Sequence, residues 1–136
     1  MMLVVLLTGC GVRRCDTVVI PAEYECWVQI HYQVDGSPVL RREGGANLIV
    51  VPGSGIVKTG SVRSPGYGQD HYFLTDASGV RTEIPSAGGQ KDGRLVSGFQ
   101  HFSSPAQVTI FFVGDAKKIG AYKRPVPEEF VDAGAK

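Results

Sequence analysis

Apolar and polar positions alternate with period two from Tyr24 to Val34. Tyr24, Cys26, Val28, Ile30 and Tyr32 fall on one face, and Glu25, Trp27, Gln29 and His31 on the other. That pattern predicts a half-buried strand. Thr17-Val18-Val19-Ile20 before it is β-branched and stops at Pro21, as a strand does. Leu48 to Val51, Gly55 to Thr59, His71 to Thr75 and Val80 to Ile84 are short strand-like runs separated by turn residues. Leu95 to Phe102 is ambiguous, while Val108 to Val113 is apolar throughout and predicts a central strand. Only after Asp115, a candidate N-cap, does a short helix appear, limited by Gly120. Glu128-Glu129-Phe130 is set for a single further turn.

Short strands with turns every 8–12 residues predict an all-β fold, an antiparallel β-sandwich of immunoglobulin or transthyretin type with one short C-terminal helix. Val28, Ile30, Ile49, Val51, Phe73, Ile110 and Phe112 are expected in one core. The 18 glycines and 8 prolines among 136 residues suit a chain of many turns. A net charge of +1, with no run of like charge beyond Arg13-Arg14, Arg41-Arg42 and Lys117-Lys118, lacks the basic stripe of a nucleic-acid binder.

Few motifs carry chemistry. The stretch "VPGSGIVKTG", from Val51 to Gly60, is a decoy: it ends like a phosphate-binding loop, but Val57 and Pro52 stand where that loop needs glycines. The three histidines, His31, His71 and His101, have no metal-ligand spacing, and no cofactor or metal is implied. No Gly-x-Ser-x-Gly elbow occurs, so no catalytic residue is assigned. Two places have a binding character. Trp27 sits on the polar face of its strand, where either a ligand or the C-terminal tail covers it. The loop Arg63 to Asp70, with Tyr67 and the adjacent His71, combines aromatic, basic and amide groups on a glycine-rich frame; such a loop also serves as a plain solvated connection.

The opening stretch, "MMLVVLLTGCGVRRCD", reads either as a buried first strand or as an address. Leu7-Thr8-Gly9-Cys10 resembles the lipobox of bacterial lipoproteins: an aliphatic residue, two small ones, then the cysteine whose thiol takes a diacylglyceryl group. No lysine or arginine precedes it and the apolar segment is short. On this reading Cys10 is the lipid attachment and the first residue of the working protein. Cys15 and Cys26 are then an even pair in an oxidising compartment. A turn at Pro21-Ala22 would fold strand 17–20 back along strand 24–34 and bring them close enough for a disulfide.

From Cys10 to about Val113 the chain resembles a family of small bacterial envelope lipoproteins of uncharacterised function. The resemblance rests on Cys15-Asp16, Ile20-Pro21-Ala22-Glu23-Tyr24, Trp27-Val28-Gln29-Ile30-His31-Tyr32, Pro38 with Leu40, Val51-Pro52-Gly53-Ser54-Gly55, Thr59 and Phe111-Phe112-Val113-Gly114. It implies export, a lipid anchor and a β-rich domain, and supplies no activity.

The expected organisation is a signal segment 1–9, an anchor and linker 10–16, a β-sandwich domain 17–123 and a tail 124–136. The expected function is an exported, lipid-anchored protein with a binding or structural role at the cell envelope, on the outer membrane or periplasmic face in a diderm host. Its partners are the membrane, through Cys10, and an envelope protein or ligand. The rivals are a secreted hydrolase built on Asp70, His71 and the 63–69 loop, and a cytosolic domain with no export.

Overall fold

A computed structural model describes residues 15–63, 70–86 and 93–130. Nine strands run through them: β1 (Asp16–Pro21), β2 (Cys26–His31), β3 (Arg41–Glu43), β4 (Ala46–Val50), β5 (Ile56–Lys58), β6 (His71–Thr75), β7 (Arg81–Ile84), β8 (Leu95–Phe102) and β9 (Val108–Gly114). They form two packed sheets, one ordered β3-β4-β1-β6-β7 and the other β5-β2-β9-β8. The fold is the expected all-β sandwich. The expected signal segment 1–9 and Cys10 lie outside the described residues.

Both sheets are mixed, which corrects the antiparallel expectation. β1 pairs parallel with β4 and with β6, and β2 pairs parallel with β5. The reason is connectivity. β1 passes directly to β2 in the opposite sheet, and a chain that crosses between sheets can return in its original direction. Antiparallel pairing is kept where two strands adjoin in one sheet, at β3–β4, β6–β7 and β8–β9, and at β2–β9. β3, the first arm of the β3–β4 hairpin, has no apolar signal in the sequence. Gly44 and Gly45, at φ 57° and 85°, supply the two left-handed residues of a tight reversal.

The same crossing overturns the disulfide. Cys15 leads into β1 and Cys26 opens β2, so the two stand in different sheets rather than opposite one another in a hairpin. Packed sheets stand ~10 Å apart, beyond the ~7 Å Cα separation a disulfide tolerates. Both thiols are free. Arg94 holds the crossing instead, its guanidinium donating to the carbonyls of Ala22 and Tyr24.

The expected single core is two. Between the sheets lie Val18, Ile20, Val28, Ile30, Ile49, Val51, Tyr72, Phe111 and Val113. On the far face of the second sheet a separate cluster gathers Trp27, Val108, Ile110, Phe112 and Phe130. Thus Ile110 and Phe112 belong outside, while Phe73 is half-buried on the outer face of the first sheet, stacked near His71 at 6.4 Å. β9 is the central strand predicted, buried at all seven positions because both of its faces are covered.

The cover on the outer cluster is the C-terminal segment. Asp115 caps it as expected, Oδ1 accepting from Lys117 N at 2.9 Å. The helix is replaced by two 3₁₀ turns, Ala116–Ala121 and Pro127–Glu129, the form short helical pieces take. β8 adapts to this cover with a bulge between Ser97 and Gln100. Gly98 within it sits at φ +68°, where an added Cβ would lie 3.0 Å from Trp27 Cη2 and 3.2 Å from Ile119 Cδ1.

Candidate functional site

Asp70, at the end of the loop singled out in the sequence, meets the start of β1. Asp16 N donates to Asp70 Oδ1 at 2.9 Å, and Asn47 Nδ2 donates to Asp16 Oδ1 at 3.1 Å. These bonds arise because β1 pairs with β4 and β6 in register Asp16↔Asn47 and Thr17↔His71, which sets three chain segments side by side. Tyr32, just past β2, turns its ring into the inter-sheet core at 6% exposure. Its hydroxyl bonds Thr109 and feels the charges of Asp16, Arg63 and Asp70. Burial, reinforced by Asp16, pushes the Tyr32 hydroxyl up to about 12, against the smaller opposing pulls of Thr109 and Arg63. Thr109 Oγ1 in turn shares a 2.7 Å hydrogen bond with His101 Nδ1.

The result is a polar cluster at one end of the sandwich. It gathers two carboxylates, a phenol, a guanidinium and an imidazole.

Asp70, just before β6, and His71, its first residue, find different partners. Asp70 faces the β1 start, while His71 Nδ1 pairs with Glu83 Oε2 at 2.7 Å on the exposed face of the first sheet. The Asp70–His71 couple of the hydrolase reading is therefore not formed; the carboxylate at the imidazole comes from β7. Among the described residues no three His, Cys, Asp or Glu side chains gather as a metal site. No described helix is long and apolar enough to cross a membrane.

Trp27 is corrected as an open ligand contact. It is 8% exposed, set edge-on to Phe112 at 5.7 Å, with the Arg124 guanidinium 5.8 Å from its ring. Of its two readings, cover by the tail is the one realised. Tyr67 lies outside the described residues; Arg63 and His71 are within them, on opposite sides of that loop.

Sequence reasoning missed Tyr32, Asp16, His101 and Thr109. Period two placed Tyr32 on the core side, which is correct, but nothing local marks a hydroxyl that will meet residues 16, 70 and 109. A shallow hollow of about 370 Å³ near Pro21 was also missed; Val19, Val50 and Val51 line it, with Glu23 and Asp76 beside them.

The family DUF6843, described as a family of unknown function, matches residues 13–115. The match therefore spans the sandwich and stops where the C-terminal segment begins. A crystal structure of a protein from Bacillus anthracis, named "Putative Lipoprotein", is similar in fold: TM-score 0.55 and 18% identity over 82% of this chain and 80% of that one. Comparison with curated proteins gave no match.

Proposed function

Since the chain belongs to the DUF6843 family of unknown function, we propose that it is an exported envelope lipoprotein, anchored through Cys10, whose sandwich has a binding or structural role. The observation that carries this reading is the placement of Leu7-Thr8-Gly9-Cys10 only six residues ahead of Asp16, where β1 begins. The lipoprotein name of the Bacillus anthracis neighbour and the start of the family match at residue 13 support it. A diacyl group is a stable anchor where one chain is marginal, each buried CH₂ contributing ~0.8 kcal/mol.

The anchor would also orient the domain. Six residues reach at most ~20 Å, so the Asp16–Asp70–Tyr32 end would lie close to the headgroups, with its charged groups facing a polar ligand or an envelope partner there. In a diderm host, Gly11 after the cysteine favours the outer membrane.

Intact-mass analysis of protein from its native host tests this. The expected species begins at Cys10 with a diacylglyceryl adduct, and Cys10→Ala should be folded, uncleaved and free of the adduct. Native protein that keeps Met1 and fractionates with the cytosol would overturn the reading. Should the anchor hold, Arg63→Ala and Asp70→Ala with intact folds should weaken any partner recovered by crosslinking in the native envelope; unchanged recovery would leave the structural role.

A further inference from the structure

The C-terminal segment 116–130 lies on the second sheet without joining it. Among the described residues its backbone hydrogen bonds are local, from Lys118 N to Asp115 O, Tyr122 N to Ile119 O and Glu129 N to Val126 O. Side chains hold it down: Tyr122 Oη donates to Glu25 Oε1 at 2.8 Å, Arg124 covers Trp27, and Phe130 is fully buried. A segment attached this way can lift without breaking a ladder.

Beneath its far end is His31, 1% exposed. The Phe130 ring stands edge-on to the imidazole at 5.7 Å and 86°, and also packs on Phe102 at 5.1 Å. His31 Nε2 bonds Gln29 Oε1 at 2.8 Å. With a carboxamide oxygen accepting there, the ring proton sits on Nε2 and Nδ1 is a bare lone pair. Nδ1 is buried and has no hydrogen-bond partner. From the neighbouring strands, β9 presents apolar Val108 and β5 presents the cation Lys58, each in register with His31. On the segment itself the charged pair Lys123–Glu129 is closed on itself at 3.1 Å.

We propose that His31 is a proton-operated latch: protonation at Nδ1 expels Phe130 and lifts segment 116–130 from the sheet, baring the Trp27–Ile110–Phe112 face. The imidazolium would carry a second N–H with no acceptor, inside an apolar pocket and beside Lys58. Lifting Phe130 lets water reach it. Burial first, and Lys58 second, hold the His31 pKa below its usual value. With the closed-state pKa lowered from ~6.5, the closed form is at full strength above pH 6.5 and weakens as pH falls toward the closed-state pKa.

Hydrogen exchange on the full chain tests the latch, comparing peptides from 116–130 with peptides from β9 at pH 7.5 and 5.5, corrected for intrinsic rates. The opening constant of 116–130 should rise, by at most about tenfold, while β9 is unchanged. His31→Gln should abolish the rise, whereas His71→Gln and His101→Gln should keep it. Lys58→Gln, which removes the like charge and leaves His31 in place, should shrink the rise and decides the matter if His31→Gln fails to fold. Exchange of 116–130 that ignores pH, a rise that survives in His31→Gln, or a rise unaltered in Lys58→Gln would overturn the proposal.

Discussion

Phe111 and Phe112 are neighbours on β9 and equally hidden, at 1% and 0% exposure, yet they are hidden by different things. Phe111 packs between the sheets against Tyr72 at 5.6 Å, under strands that hydrogen-bond to one another. Phe112 packs under a 3₁₀ segment through Trp27 and, at 5.3 Å, Tyr122. Equal burial therefore does not mean equal cooperativity. Exposing Phe111 requires separating two sheets, whereas exposing Phe112 requires only that side-chain contacts of the C-terminal segment let go. The second route is the low-free-energy kind of opening on which binding surfaces and switches draw.

The sharpest way to break this comparison is to delete one ring on each side. Phe111→Ala should cost about 3–5 kcal/mol, read as a lower midpoint in chemical denaturation and faster hydrogen exchange in both sheets. Phe130→Ala, whose site can relax by lifting the segment, should stay near the lower end, about 3 kcal/mol, with exchange accelerated only in 116–130. If Phe130→Ala instead loosens β1 and β6, the outer cluster is one unit with the core and the distinction fails.

Gly98→Ala probes how closely the segment and β8 are matched. The left-handed backbone alone costs about 1–2 kcal/mol for an L side chain, and the new methyl would press on Trp27 and Ile119. Trp27 fluorescence should change and the C-terminal segment should loosen. An unaltered emission spectrum would mean that the indole is not held where the structure places it.

Tyr32→Phe touches the inner core at its polar end. Removing a hydroxyl that shares its bond with Thr109 should cost about 1 kcal/mol, with cooperative unfolding retained. The smallest effect belongs to the first sheet's surface. Arg81 forks onto Glu43, at 2.7 and 3.1 Å, and β7 and β3 are the two edges of that sheet, so strong coiling must bring them together. The Arg81 guanidinium bonded to it, then the nearby charge, holds the Glu43 carboxyl below its usual range. Both groups are exposed and screened by salt, so Glu43→Gln should leave the denaturation midpoint unmoved within error. A clear loss there would make sheet coiling, rather than the two-sided packing of β9, the main support.

Local patterns carry what the chain alone determined. Period two in 26–31, β-branched 17–20 and the unbroken apolar run 108–113 set strands β2, β1 and β9, and with them the all-β class, because strand formation follows from side chains a few residues apart. Asp115 capped the C-terminal segment for the same reason. The alternation also placed Trp27 opposite Tyr32, correctly, but could not name what covers each face. Tertiary structure decided that, by sending β1 and β2 to different sheets. That one crossing made the pairing parallel, separated Cys15 from Cys26 and brought Asp16 to Asp70, while the β2–β9 register put Ile110 and Phe112 on the face of Trp27, away from Val28 and Ile30. Arg41–Glu43 carries no apolar signal, so β3 exists only through its register with β4. The polar cluster and the His31 latch are products of the same long-range assembly: their members lie tens of residues apart, and no local spacing encodes a contact that depends on which sheet each strand joins.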